Sequence, residues 1–183
     1  MDSFFEQIVQ KKKTAVSWLI IAAVLLAAVA LIAFVWIFGI LAVISTAGIL
    51  YGAWWLITTQ NVEFEYCVTN GDIDVDKIVA RRKRVRLVSV AGRKVRALAP
   101  YDPQKPLGKF QRTVIVAPSL QEEGLWYFTY HSKKNGDTLV VFMPDERVLA
   151  ALYEGLPKLT QMDTARAARE AGIVLPKRQK EED

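Results

Sequence analysis

Val62 to Val79 read VEFEYCVTNGDIDVDKIV, two alternating runs on either side of an Asn-Gly pair. In the first run Phe64, Tyr66 and Val68 fall on one side and Glu63 and Glu65 on the other. In the second, Ile73 and Val75 point inward and Asp74 and Asp76 outward. A period of two is the mark of a half-buried strand, and Asn70-Gly71 accepts the positive φ that a two-residue hairpin turn needs at both central positions. The pattern continues downstream. A turn is expected at Ala80–Lys83, then strands in RVRLVSV, KVRALAPY, RTVIVAP, LWYFTYH and TLVVFM, with a second Asn-Gly hairpin in SKKNGD. DPQKPLGKF, with two prolines and a glycine, is a loop. The period then changes once. Pro144, Asp145 and Glu146 open a helix, since proline suits the first turn and acids suit the positive end. Val148, Leu149, Leu152, Tyr153 and Leu156 form its apolar stripe, and Gly155 and Pro157 end it. Residues 62–157 therefore predict an α+β domain: six or seven short antiparallel strands in a small curved sheet or open barrel, closed by a C-terminal helix.

Upstream, Thr14 to Asn61 contains no charged residue and no proline. A single helix over 14–59 would be about 69 Å long, more than twice the ~30 Å hydrocarbon core of a bilayer. Two membrane helices fit instead, at 14–37 and 40–59, with a turn near Phe38-Gly39, where glycine tolerates a tight bend. The run is far longer than the core of a cleavable signal peptide. Lys11–Lys13 precede the first helix and the basic segment from Lys77 follows the second, so excess cations on the cytoplasmic side predict a membrane hairpin with both termini cytoplasmic. Trp18, Trp36, Trp54 and Trp55 fall near the four helix ends, where aromatic belts sit. Gly48 and Gly52 match the small-xxx-small pattern, and Ala23, Ala27 and Ala30 offer a small face on the first helix. Such faces either pack the hairpin on itself or form a homo-oligomer seam. Neither span carries an ionisable side chain, which argues against a transporter.

The two ends read differently. Residues 1–13 predict an interfacial amphipathic helix, because Ser3 and Glu6 have capping-box spacing and Phe4, Phe5, Ile8 and Val9 share a helical face. Residues 158–183 predict a polar tail, partly helical in DTARAAREAG and otherwise disordered.

Charge is segregated. Residues 63–76 hold five anions and no cation, and residues 77–112 hold twelve cations and one anion. The densest part is RRKRVR, with Arg81, Arg82, Lys83, Arg84 and Arg86. Close to the inner leaflet, such a cluster gains about 1 kcal/mol per cation from anionic lipid. It reads as a lipid-headgroup contact or topology signal, as a solvated face paired with the neighbouring acids, or as a site for an acidic protein. Nucleic acid is the weakest reading, because no aromatic residue is interleaved for base stacking and no recognition-helix pattern is present.

Catalytic chemistry is not legible. His131, the only histidine, reads as an ordinary strand residue with no triad context. There is no glycine-rich phosphate loop. Asp74 and Asp76 share a strand face, as metal ligands or an acid–base pair would, but a solvated face beside basic residues accounts for them. Cys67 is the only cysteine, so no intrachain disulfide and no cysteine-based metal site is expected. Cys67 itself reads as a half-buried strand residue. The expectation is a protein that is not an enzyme and has no cofactor.

YCVTNGDIDVD and FMPDERVLAALYEGLP resemble the first hairpin and the closing strand and helix of bacterial pleckstrin-homology-like domains. That resemblance implies a bent seven-strand sheet closed by a C-terminal helix. FFEQIVQKK, TNGDIDVDKIVARRKRVRL and LAPY, together with the apolar run, also resemble an uncharacterised family of small bacterial two-span membrane proteins. Fold alone supplies no activity. The expected function is a membrane-anchored interaction module that contacts anionic lipids or a protein at the inner leaflet. The alternative is a structural protein that assembles through its transmembrane helices.

Overall fold

In the computed structural model, which describes residues 4–105 and 107–176, Asn70 and Gly71 take φ of 52° and 83°. They close a hairpin between β2 (Val62–Thr69) and β3 (Asp72–Val79), paired from Val62↔Val79 to Thr69↔Asp72. A three-residue turn over 80–82, with Ala80 and Arg81 at φ of 54° and 56°, leads into β4 (Lys83–Val90). This strand pairs with β3 across a register shift between Val75 and Asp76.

The segment Phe4–Gln10 is a strand, β1, not the interfacial helix expected there. It runs antiparallel along β2 from Phe4↔Thr69 to Gln10↔Glu63 and completes a sheet of order β1-β2-β3-β4. FFEQIVQ satisfies both periods: Phe4, Phe5, Ile8 and Val9 share a helical face, while Phe5, Gln7 and Val9 share a strand face. The unpaired edge of β2 decides between them, because it offers the segment a full ladder of backbone hydrogen bonds. Gln7 then locks the strand in place. Its Nε2 donates to the Met143 carbonyl at 3.1 Å and its Oε1 accepts from the Asp145 N–H at 2.7 Å. The domain therefore begins before the apolar run, not at residue 62, and the helical hairpin is inserted between its first two strands.

The second sheet contains β5 (Val95–Pro100), β6 (Arg112–Ile115), β7 (Trp126–Ser132) and β8 (Gly136–Phe142), in the order β5-β7-β8-β6. The sheets are antiparallel except that β6 runs parallel to β8, against the all-antiparallel expectation. β5 and β6 lie on opposite edges and run the same way, so residues 101–111 act as a crossover.

The inward faces meet in one core. Tyr66, Val68, Ile73, Val75, Phe128, Val140 and Phe142 are fully buried there. Tyr66 crosses the core: its hydroxyl donates to the Val116 carbonyl, and its ring stands edge-on to Phe142, 5.8 Å away.

Helix α3 (Glu146–Glu154) closes the sheets as its sequence predicts. Asp145 caps it, accepting from the Val148 N–H at 2.7 Å, and Val148, Leu149 and Leu152 enter the core. The chain does not become a tail after Pro157. Residues Lys158–Glu170 form a docked helix, α4, with Thr160, Thr164 and Ala168 buried. The Gln161 amide donates to the last carbonyls of α3, those of Tyr153 and Glu154, and to that of Leu156 just beyond it, at 3.1–3.3 Å, groups that a helix end otherwise leaves unpaired. The expected disorder in 177–183 lies outside the described residues.

The apolar run forms α1 (Ala15–Val35), a 3-10 turn over Trp36–Leu41 and α2 (Ala42–Thr58). Gly39, at φ 68°, makes the reversal where it was expected. Ala15–Gly39 is long and apolar enough to cross a membrane, and 6 % of its most apolar stretch is buried. It is thus no core helix. The second helix is apolar but shorter, at 17 residues.

Candidate functional site

The basic run RRKRVR divides, and the hairpin turn makes the division. Ala80 and Arg81 hold left-handed backbone that side chains with a Cβ rarely adopt. The Asn61 carbonyl fixes the turn by accepting from the Ala80 N–H at 2.8 Å. Asn61 lies three residues past the end of α2 and donates its N–H to the Thr58 carbonyl at 3.1 Å, so Arg81 and Arg82 are set against the end of that helix. The Arg82 guanidinium stacks 4.7 Å from the Trp54 ring centroid and donates to the Thr58 hydroxyl at 3.2 Å. Arg81 reaches Glu63 at 3.4 Å.

Lys11 and Lys13 arrive at the same place from the other end of the hairpin, carried there by β1. With Arg81, Arg82, Trp54 and Thr58 they line a cleft of about 670 Å³ at the junction of helices and sheet. Lys13 also lies 5.3 Å from the Trp18 ring centroid. Lys12 points elsewhere and pairs with Glu122 at 2.5 Å. Four cations against one lined anion, Glu63, leave the cleft strongly positive. Sequence reading treated Lys11–Lys13 and the arginine run as separate flanks. Their meeting depends on the β1–β2 pairing, which it missed.

Arg84 and Arg86 belong to a different constellation, on the outer face of the first sheet. Glu65 and Asp76 stand directly opposite each other in register and are almost fully covered, at 2 % and 4 % exposure. Like charges placed so are destabilising unless neutralised. Arg84 pairs with Glu65 at 2.7 Å, and Arg86 with Asp76 at 2.5 Å and Asp74 at 2.7 Å. The reading in which the basic run pairs with the neighbouring acids therefore applies to these two arginines, but the face is solvated only at Asp74: Asp76 is buried, against the expectation. Lys83 is exposed at the start of β4.

Beside this network, burial and then the nearby Glu6 carboxyl push the Glu65 carboxyl above its usual range, with Arg84 opposing. Burial and the charges of Glu65 and Glu6 likewise push the Cys67 thiol up.

Gly48 and Gly52 do not pack the hairpin on itself. Gly48 is exposed, and a Cβ at either position would meet nothing within 4 Å. Ala23, Ala27 and Ala30 are exposed as well, while the seam between the helices buries Ile21, Ala28 and Ala42. His131 is bonded to Asp137 at 2.8 Å on an exposed edge, where Arg96 also pairs with Asp137 at 3.1 Å. The hydrogen bond from His131, and then Arg96, hold the Asp137 carboxyl below its usual range.

Neither a curated protein nor a solved structure matches the chain. A family model does, that of the bacterial PH-like domain (DUF6106), over residues 1–160. The match takes in β1 and the apolar hairpin as well as both sheets and α3, which agrees with a domain whose first strand precedes its helices. Two sheets closed by a C-terminal helix, with a match over most of the length, place the chain in the bacterial PH-like domain family (DUF6106).

Proposed function

We propose that the chain is a two-span, membrane-anchored interaction module, not an enzyme, whose juxtamembrane cleft takes the phosphate of an anionic lipid headgroup at the inner leaflet. The observation that carries this reading is the convergence of Lys11, Lys13, Arg81 and Arg82 at the end of the helical hairpin. Large exposed side chains run along both helices, among them Leu19, Leu26, Val29, Val43, Ile44 and Leu50. Soluble surfaces do not present continuous apolar faces of that extent. At about 25 Å, α2 falls slightly short of the hydrocarbon core, a mismatch that snorkelling by Arg82 and the interfacial Trp54 and Trp55 accommodates. Placing both basic ends on one side puts both termini on the cytoplasmic side.

Two measurements test the reading together. Reporter fusions at each terminus are expected to give cytoplasmic signals only. The full chain in neutral micelles is expected to bind a short-chain anionic phospholipid in preference to its zwitterionic counterpart, with an affinity that falls as salt rises. An extracytoplasmic C-terminus, or indifference to headgroup charge, sinks the proposal.

A second reading, assembly through the helices, is favoured by one observation: the Gly48 face points away from the hairpin. Close packing in lipid uses such faces. If they form a seam, Gly48→Leu/Gly52→Leu loses the dimer cross-link seen for the wild type in membranes. Equal cross-linking by the two proteins removes this reading and leaves the lipid proposal intact.

A further inference from the structure

The pairing of β1 with β2 assembles a set of donors that no single segment contains. Glu6 lies directly opposite Cys67, and Glu65 sits two residues along β2 from Cys67, on the same outer face. One donor atom from each of Glu6, Glu65 and Cys67 lies within 4.8 Å of the others. Neighbours of this kind across a ladder approach closely by virtue of register alone.

Glu65 makes the cluster unusual. Its side chain is 3 % exposed. Its Oε1 accepts from Arg84 at 2.7 Å, but its Oε2 is buried and has no hydrogen-bond partner. A buried carboxylate oxygen without a donor is costly. Its nearest functional groups in the cluster are another carboxylate and a thiol, both acceptors once ionised. A cation would serve all three acceptors at once.

We propose that Glu6, Glu65 and Cys67 form a binding site for one divalent transition cation of the Zn²⁺ class. A thiolate selects against the hard cations Mg²⁺ and Ca²⁺, and carboxylates are acceptable to zinc. Three protein donors leave a fourth, tetrahedral position for water. With zinc–ligand bonds near 2.1–2.3 Å, ligand atoms in such a site lie about 3.5 Å apart, so small side-chain rotations close the set. Binding replaces the thiol proton of Cys67, which is released to solvent, by a metal–sulfur bond. The two positive charges of the ion and that of Arg84 then balance three negative ones. Glu6 is exposed, which gives the ion an entry path. The ion would tie β1, and with it Lys11 and Lys13, to the sheet. The site stands on its own donors and does not depend on the lipid reading.

Cobalt is the probe, because a cobalt–thiolate bond has a charge-transfer band in the near ultraviolet and Cys67 is the only thiol in the chain. The full chain, without a polyhistidine tag and in neutral micelles, is titrated with Co²⁺. The expected result is a band that saturates at one equivalent and is displaced by Zn²⁺. Cys67→Ser abolishes it, and Glu6→Gln weakens Co²⁺ binding at least ~10-fold, the smallest loss seen even for groups that only support a ligand. Glu6 is exposed on an edge strand, so its substitution leaves the core untouched. Glu170→Gln, on α4 far from the cluster in sequence, leaves the titration unchanged. Absence of the band in the wild type overturns the site and assigns Glu65 Oε2 to a proton shared with Glu6. A band that survives Cys67→Ser, or ignores Glu6→Gln, overturns it equally.

Discussion

Gly155→Ala is expected to destabilise the domain by at least ~3 kcal/mol, the upper range for overpacking a core. Local chemistry predicts the opposite. Gly155 ends α3 at φ −75°, ψ −7°, a conformation alanine adopts without strain, and replacing glycine by alanine there would ordinarily gain about 0.4–1 kcal/mol. The tertiary structure reverses the sign. A Cβ on Gly155 would lie 2.6 Å from the Gly71 carbonyl oxygen and 2.8 Å from its carbon. These are backbone atoms of the β2–β3 turn and cannot rotate aside. Gly92 packs into the same contact, 2.8 Å from the Gly155 oxygen if it carried a Cβ. The turn, the end of β4 and the end of α3 therefore touch backbone to backbone. Gly172→Ala is the control. Unlike Gly155 it takes a positive φ, 70°, but it has nothing within 4 Å, so its cost is limited to about 1 kcal/mol of conformational strain. Unfolding of the full chain in micelles, followed by near-ultraviolet circular dichroism, compares the two. Wild-type stability in Gly155→Ala would show that the approach is looser than the structure has it.

The second large effect separates the two halves of the basic run. Arg81→Glu/Arg82→Glu is expected to weaken binding of an anionic phospholipid by up to ~10³-fold at low salt. Each reversal removes about 1 kcal/mol of attraction and adds a comparable repulsion, and roughly 4 kcal/mol corresponds to three decades of affinity. Arg84→Glu/Arg86→Glu is expected to leave that affinity within a few-fold of wild type and to lower stability instead. Its partners Glu65 and Asp76 are buried, and a buried charge left without its counter-ion costs several kcal/mol. The arginines themselves are more than half exposed, so water screens part of this, and a loss of about 2 kcal/mol is expected. Fluorescence anisotropy of a labelled short-chain lipid, with the full chain in neutral micelles, measures the first effect, and denaturation measures the second. The inverse outcome, lipid binding lost only with Arg84 and Arg86, would move the site from the junction to the outer sheet face.

The β2–β3 hairpin, the β7–β8 hairpin, the Gly39 reversal and the capped helix at Asp145 were all legible, because each is set by a local signal: alternation, positive-φ residues, or a cap. The β7–β8 turn itself lies one residue earlier than the Asn-Gly pair suggested, over 133–135, with Gly136 at φ 67° already paired to Ser132. Phe4–Gln10 was misread because seven residues carry both a helical and a strand period. Only the open edge of β2, nearly sixty residues away in sequence, distinguishes them. Lys158–Glu170 was underestimated for a related reason. It buries Thr160, Thr164 and Ala168, small or polar residues that announce no core, and it is held by β5 and by Gln161. The parallel entry of β6 beside β8 depends on which edge the 101–111 crossover reaches, a matter on which strand composition is silent.

The candidate sites follow the same division. Sequence found the arginines, the lysines before the first helix and the acids of β2 and β3, because charge clusters are visible without coordinates. It did not find that Arg81 and Arg82 leave their neighbours to join Lys11 and Lys13, that Arg84 and Arg86 are committed to buried carboxylates, or that Glu6 stands beside Cys67. Counting thiols gave no reason to propose a metal site, since one of the other donors, Glu6, comes from a strand whose pairing was unseen. By itself the sequence determined most of the local elements and the two apolar helices, for these rest on hydrophobic period, turn chemistry and length, all of which act within a few residues. Strand register and edge pairing, and with them the membership of both sites, were decided only by the tertiary structure. The energy that selects one register is the burial and hydrogen bonding shared between distant segments, which neither segment possesses alone.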